Sequence, residues 1–249
     1  MRGGKHVVRG RELGRAGYVL PVQFGLGLVK LAARWRNLPC FGDLEGTGPD
    51  ELWAGRELDE TGHTRFLSSS GTHLFLKGRM VTRFGLAESP TRYISADGPP
   101  IPISTNYHRL VWRDVSRPNQ KRRIHATIIP PRWVTGNSLH VAYFRDNDRE
   151  HLNAILGVMS SLVFECQARA HLATAHVSLG VVRRVRIPVL TDTRVVRELS
   201  QIVQACTDGD VAAHVELEVC VAQLYGLSKD DFELVISSFE KIENEERNA

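Results

Sequence analysis

An α+β fold is expected for this chain: a twisted, mostly antiparallel sheet packed by helices, with a helical region at the C-terminal end. Two apolar alternations flank a turn between Tyr107 and Pro131, which predicts a hairpin. Apolar residues recur at helical spacing from Leu152 to Cys166, which predicts a largely buried helix packed on that sheet. Two further helical periods lie beyond Thr191 and end in LYGLS, where Gly226 stops one helix and Ser228 starts the next.

Taken in order, Met1 to Gly17 is rich in Gly and Arg without a clear period and reads as a weakly ordered arm. Val19 to Trp35 mixes apolar residues with Gly25 and Gly27 and reads as a strand and then a short helix. Trp53 to Leu58 is a short strand, and Asp59 is placed to cap the next element. In Thr72 to Phe84, Gly78 permits a tight turn among Lys77, Arg79 and Arg83. Ser89 to Pro102 carries four prolines and a glycine and reads as a surface loop.

In the central hairpin, Leu110, Trp112 and Val115 are expected on one side, with Arg109, Arg113 and Arg117 among them. Pro118 and Asn119 make the turn, and Ala126, Ile128 and Ile129 return as a strand before Pro130-Pro131 ends it. Ser138 to Phe144 alternates as another strand. Asp146 or Asn147 then caps a helix running to Arg169. Thr191 to Ala205 is a helix; Asp210 caps a second through Leu224; Ser228 and Asp231 form a capping box for the last. The expected division is 1–36 as an arm or partial element, 37–190 as the sheet-containing domain and 191–249 as the helical region.

The totals exclude several classes. The 249 residues, 42% hydrophobic and 24% charged, suffice for one large or two small globular domains. No apolar run approaches the roughly 18 residues of a membrane span, and Arg2 and Lys5 precede no secretory core, so a non-membrane, cytoplasmic protein is expected. The four cysteines, Cys40, Cys166, Cys206 and Cys220, form no C-x-x-C pair and read as reduced thiols rather than as a zinc ribbon or a disulfide framework. His171 and His176 lie five apart and no histidine spacing repeats a zinc pattern, so no metal site is expected.

Charge is the feature that needs a partner. The formal net charge is only +4, but from Arg109 to Arg123 there are five Arg and one Lys against Asp114 alone. Like charges at that density repel unless an anion sits among them, and polyphosphate is the usual anion. A solvated, solubilising turn is the other reading.

RLVWRDVSRPNQKRRIHATIIPP resembles a segment of the C-terminal target-recognition domains of TaqI-like and type IIG-like restriction–modification adenine-N6 methyltransferases. Arg113-Asp114-Val115-Ser116-Arg117 and Arg122 through Pro130 carry that likeness. Further pieces in the same order are similar to the same domains: Gly55-Arg56-Glu57-Leu58-Asp59 with Thr61, then Thr72 to Phe84, then Ser161 to Phe164 with Arg169, and finally Leu224 to Phe239. The family's Gly-Thr-His turn corresponds to Ala173-Thr174-Ala175-His176, with an alanine for the glycine and one residue inserted. The resemblance spans roughly residues 37 to 240.

The resemblance implies sequence-specific binding of double-stranded DNA as the target-recognition part of an adenine-N6 methyltransferase or fused restriction–modification enzyme. Residues 37–190 are then the recognition domain. Arg113, Arg117, Lys121, Arg122 and Arg123 are expected to clamp phosphates, with Lys77 and Arg79 near the DNA. Asn119 and Gln120 are expected at base edges, because amides pair with adenine, while Ser116 braces the turn. Thr174 and His176 complete the expected surface.

No catalytic residue is expected in this chain. Ile129-Pro130-Pro131-Arg132 lacks the Asn or Asp and the stacking aromatic of an adenine-flipping loop. Gly25-Leu26-Gly27 is too short for an S-adenosylmethionine loop, and Pro49-Asp50 with Glu57 and Asp59 has no lysine where a nuclease needs one. The chain itself is expected to need no cofactor; S-adenosylmethionine belongs to the associated methyltransferase region, a domain or subunit that is the expected partner, with or without a nuclease. The alternative is a stand-alone restriction-type nuclease whose site has no recognisable motif.

Overall fold

The computed structural model describes residues 25–239 and Lys241. The expected N-terminal arm lies outside the described residues, as does nearly all of the charged tail. The α+β expectation is met: a layer of helices covers one face of a four-stranded antiparallel sheet, and a smaller mixed sheet covers the other.

The first sheet has the order β1-β8-β5-β6, from β1 (Leu52–Gly55), β8 (Leu139–Phe144), β5 (Arg109–Arg113) and β6 (Ala126–Ile129). The expected hairpin is β5 and β6, with Arg109 opposite Ile129 and Trp112 opposite Ala126. Side chains alternate across the sheet, so β5 sends Leu110 and Trp112 into the helical layer and Val111 toward the second sheet. Strand β8 does the same, with Ala142 and Phe144 under the helices and Leu139 and Val141 on the opposite face. Both faces are covered, which is why every residue of β8 is buried.

The second sheet has the order β2-β4-β3-β7: β2 (Leu67–Ser68), β4 (Tyr93–Ile94), β3 (His73–Leu76) and β7 (Trp133–Thr135). Its β3–β7 pair is parallel and the others antiparallel. Leu76, Met80 and Val81 pack from this side onto Val111, Ile129, Leu139 and Val141.

The helices are α1 (Leu26–Trp35), α2 (Glu60–His63), α3 (Arg149–Ser160), α4 (Leu162–His171), α5 (Leu179–Val182), α6 (Thr193–Thr207), α7 (Val211–Leu224) and α8 (Lys229–Ser237). Two expectations change here. The single helix expected up to Arg169 is two, because Ser161 leaves helical geometry and its hydroxyl caps α4 by accepting from the Phe164 N–H. The cap of α3 is Asp148, not Asp146 or Asn147; Asn147 sits in the left-handed region at φ 58° and makes the turn before it. Other caps fall where expected: Asp59 on α2, Asp210 on α7, and the Ser228–Asp231 box on α8. Helix α3 packs on β5 and β6 and most closely on α6. One buried apolar cluster runs from Leu28 to Phe239 and draws on all three expected segments. Among the described residues no helix is long and apolar enough to cross a membrane.

Candidate nucleic-acid interface

The cations of the hairpin divide into two groups, and most are occupied by the protein itself. Arg109 is fully buried: Nη1 donates to Glu57 Oε1 at 2.7 Å and to the Trp133 carbonyl, and Nη2 donates to the Pro130 carbonyl. The second Glu57 oxygen accepts from the Thr135 amide and hydroxyl. Arg109 is therefore the pivot that fastens the hairpin to β7, an arrangement stable only because each charge is met.

Arg122 and Arg123 do not form the expected phosphate clamp. Arg122 donates from Nε to Glu165 at 2.9 Å, from Nη1 to Glu218 at 3.3 Å and from Nη2 to the Ser160 carbonyl at 2.6 Å. Burial depresses its pKa, and the two carboxylates more than offset that, so it is held above the usual guanidinium value. Glu165 also accepts from Arg169 and from the Arg123 amide. Arg83 adds a third guanidinium, pulled down to about 10 by burial and by Arg122. Arg123 is buried, with Nη2 donating to the carbonyls of Ser116 and Thr174. The physical reason is local: helix α4 brings Glu165 beneath the returning strand, so the charges meet inside the protein.

The turn differs from expectation as well. Ser116 is buried and its hydroxyl bonds Gln120 Oε1, which also accepts from the Arg117 amide. Gln120 is thus the brace, through its side chain, and its acceptor oxygen is not free to read a base. Val115 is exposed rather than in the core. Lys121 is half-buried, and its carbonyl accepts from Arg169. Arg117 and Asn119 remain exposed at the tip.

A different convergence emerges at the Arg113 end of the sheet. Four separated stretches meet there: the segment at Arg56, the Lys77–Met80 loop, the Arg113–Arg117 strand end and the Thr174–His176 turn. Arg113 Nη2 donates to the Arg79 carbonyl at 2.8 Å. The Gly78 amide donates to Ser138 Oγ, and a β-carbon at Gly78 would stand 2.7 Å from the Ser138 carbonyl. Close approach of Ser138, just before β8, and not a positive φ, is what requires glycine there. Val177 and Asp114 join backbones at 2.6 Å, and Ser116 donates to the Ala175 carbonyl.

Asp114 lies at the centre and is buried. His140 Nε2 lies 3.0 Å from its Oδ1; His176 Nδ1 and Arg56 Nη2 lie 2.9 and 3.0 Å from Oδ2. Burial raises the carboxyl pKa, but the hydrogen bonds from His176 and His140 and the Arg56 charge outweigh it, so Asp114 is held below the usual carboxylate range. Burial lowers His140, whose ring stacks on Trp112 at 5.2 Å. The exposed rim of the cluster is Arg56, Arg79, Arg117, Thr174 and His176. Thr174 Oγ1 accepts from the His176 amide. Arg79 meets Glu88 at 3.2 Å in a solvated pair, and Lys77 pairs with Glu60. The exposed Arg79–Glu88 pair holds its cation with well under about 1 kcal/mol and yields readily to another anion, whereas the Lys77–Glu60 pair is half-buried.

Arg56, Asp114 and His140 escaped functional assignment from sequence, although Arg56 and Asp114 stand inside segments that resemble recognition domains. The available signal was Asp114 itself, a lone acid among six cations, placed on the face of Leu110 and Trp112. Among the described residues no group of three or more His, Cys, Asp or Glu side chains is placed to hold a metal ion.

No family model matches the sequence, and no curated protein matches it. Among the solved structures similar to it are two that align over most of the chain. One is the type IIL restriction–modification enzyme MmeI in complex with DNA, 12% identical, with a TM-score of 0.43 over 82% of this chain and 34% of that one. The other is a chain of a type I restriction–modification system, 14% identical, with a TM-score of 0.41 over 93% of this chain and 54% of that one. The protein thus spans about a third and about half of those two chains. TM-scores below 0.5 describe a partial likeness of shape.

Proposed function

We propose that this chain binds double-stranded DNA sequence-specifically, as the target-recognition part of a restriction–modification enzyme of the adenine-N6 methyltransferase type. The observation that carries the reading is the convergence around Asp114: four stretches, each similar in sequence to recognition domains, meet at one sheet end and expose Arg56, Arg79, Arg117 and His176. A cluster of exposed donors on a rigid strand end suits phosphate and base-edge contact. Arg79 and Arg117 supply positive charge to the backbone, while Asn119 and His176 face base edges. Methyl transfer from S-adenosylmethionine belongs to a separate domain or subunit.

Selection from randomised duplexes by the full chain tests this. Enrichment of a defined site is the expected result. Arg79→Ala and Arg117→Ala should each weaken binding to every sequence and reduce the salt slope by about one. A chain that enriches no sequence, with affinity indifferent to salt, overturns the proposal.

A further inference from the structure

The geometry points to a specificity-determining role for His176: its outward ring nitrogen is a hydrogen-bond acceptor, held so by Asp114, that takes the exocyclic amino group of an adenine or a cytosine in the major groove. This rests on the DNA-binding reading above. An ionised carboxylate only accepts, so each imidazole nitrogen facing Asp114 must carry the proton. His176 reaches Asp114 through Nδ1 at 2.9 Å, which places a proton on Nδ1 and turns Nε2, the accepting nitrogen of that tautomer, away from the carboxylate. The His176 side chain is 55% exposed, and Nε2 has no partner among the described residues.

The Asp114 oxygens are held from every side. His140, on β8, donates Nε2–H to Oδ1, and its Nδ1 is buried without a partner, so the ring has no second anion to favour its protonation. Arg56, just beyond β1, forms an ion pair with Oδ2 at 3.0 Å beside His176 and offsets the carboxylate's charge; the same Nη2 lies 3.4 Å from His140 Nε2. Asp114 and Arg56 are thus positioning residues, and His176 is the group that meets the base. The accepting nitrogen fits the amino edges of adenine and cytosine, which present a donor in the major groove, and disfavours guanine and thymine, which present acceptors there.

The full chain is tested in three ways. Two-bond nitrogen–proton correlation spectra near neutral pH should show the His176 ring protonated at Nδ1 and bare at Nε2; a ring protonated at Nε2 alone, or at both nitrogens, overturns the inference. Duplex selection with His176→Ala should lose preference at one adenine or cytosine position, by roughly three- to ten-fold, and keep it elsewhere. In the selected site, replacing that adenine by purine, or that cytosine by the analogue lacking the amino group, should cost the unsubstituted chain the same factor and cost His176→Ala nothing more. The two analogues also tell the two bases apart. Asp114→Asn should relax the same position; because Asp114 is buried and its replacement can prevent folding, the spectra and analogues require no change at that residue. If His176→Ala weakens all duplexes alike, His176 touches the backbone and the acceptor role falls while DNA recognition stands. If the unsubstituted chain selects no sequence, the recognition reading falls, and this inference with it.

Discussion

Arg122→Met separates an internal staple from a DNA contact. The change keeps most of the stem and removes the guanidinium. In the protein that group bonds Glu165, Glu218 and the Ser160 carbonyl, and its side chain is only 12% exposed. Removing one partner of a buried charge pair generally costs about 3–5 kcal/mol. Each acceptor here keeps another donor: Glu165 keeps Arg169 at 2.7 Å, Glu218 keeps the Leu162 amide at 2.7 Å, and Ser160 keeps Arg83 at 3.0 Å. The loss should therefore fall at or just below the low end of that range, about 2–3 kcal/mol. Urea unfolding monitored by circular dichroism measures it; with an m-value of about 3 kcal/mol/M the midpoint drops by somewhat under about 1 M. Fluorescence anisotropy with a labelled duplex, below the transition, should give an unchanged salt slope. An unaltered midpoint together with a slope reduced by about one would refute the argument and return Arg122 to the phosphate backbone.

Three further outcomes are expected from the same packing. Glu57→Ala strands the fully buried Arg109 and should cost about 3–5 kcal/mol in urea unfolding, whereas replacing both by apolar residues of similar volume should recover much of it; equal losses for the single and double variants would disprove the pairing. For Glu165, burial pushes the carboxyl pKa up but the charges of Arg122 and Arg169 and the Arg123 amide pull it further down, so it lies below its unfolded value. Its stability contribution is present above the unfolded carboxylate pKa of about 4.3 and is lost as pH falls through the folded value. Between about pH 6 and pH 3 the urea midpoint should thus fall less in Glu165→Gln than in the natural sequence, and identical pH profiles would count against it. Gly78→Ala puts a β-carbon 2.7 Å from the Ser138 carbonyl and should destabilise by about 1–3 kcal/mol while shifting the loop carrying Arg79; a variant with an unchanged midpoint and unchanged duplex affinity would show that the loop is not seated this way.

Local signals proved reliable where the physics was local. Asp59, Asp210 and Ser228 cap helices because a short polar side chain beside an apolar period has one favourable use, which is to accept from the open amides of the first turn. The hairpin of β5 and β6 was legible because period-two alternation on both sides of a Pro-Asn turn leaves few other pairings. The break at Ser161 was not legible: its neighbours continue the apolar period, and only the competition between its hydroxyl and the helix backbone ends α3 there.

What the sequence determined by itself was the α+β class, the caps, the central hairpin and the presence of unusual positive charge. It did not determine which charges face solvent. Arg122 and Arg117 stand five positions apart around one turn and look alike in composition. One is enclosed by Glu165 and Glu218, delivered from α4 and α7; the other is exposed at the tip. Only the packing of distant helices against the strand decides this, because a charge's free energy depends on the solvent and partners around it rather than on its neighbours along the chain. Asp114 makes the same point: a single acid in a basic run becomes an organising centre only when β8, the Arg56 segment and the His176 turn close around it.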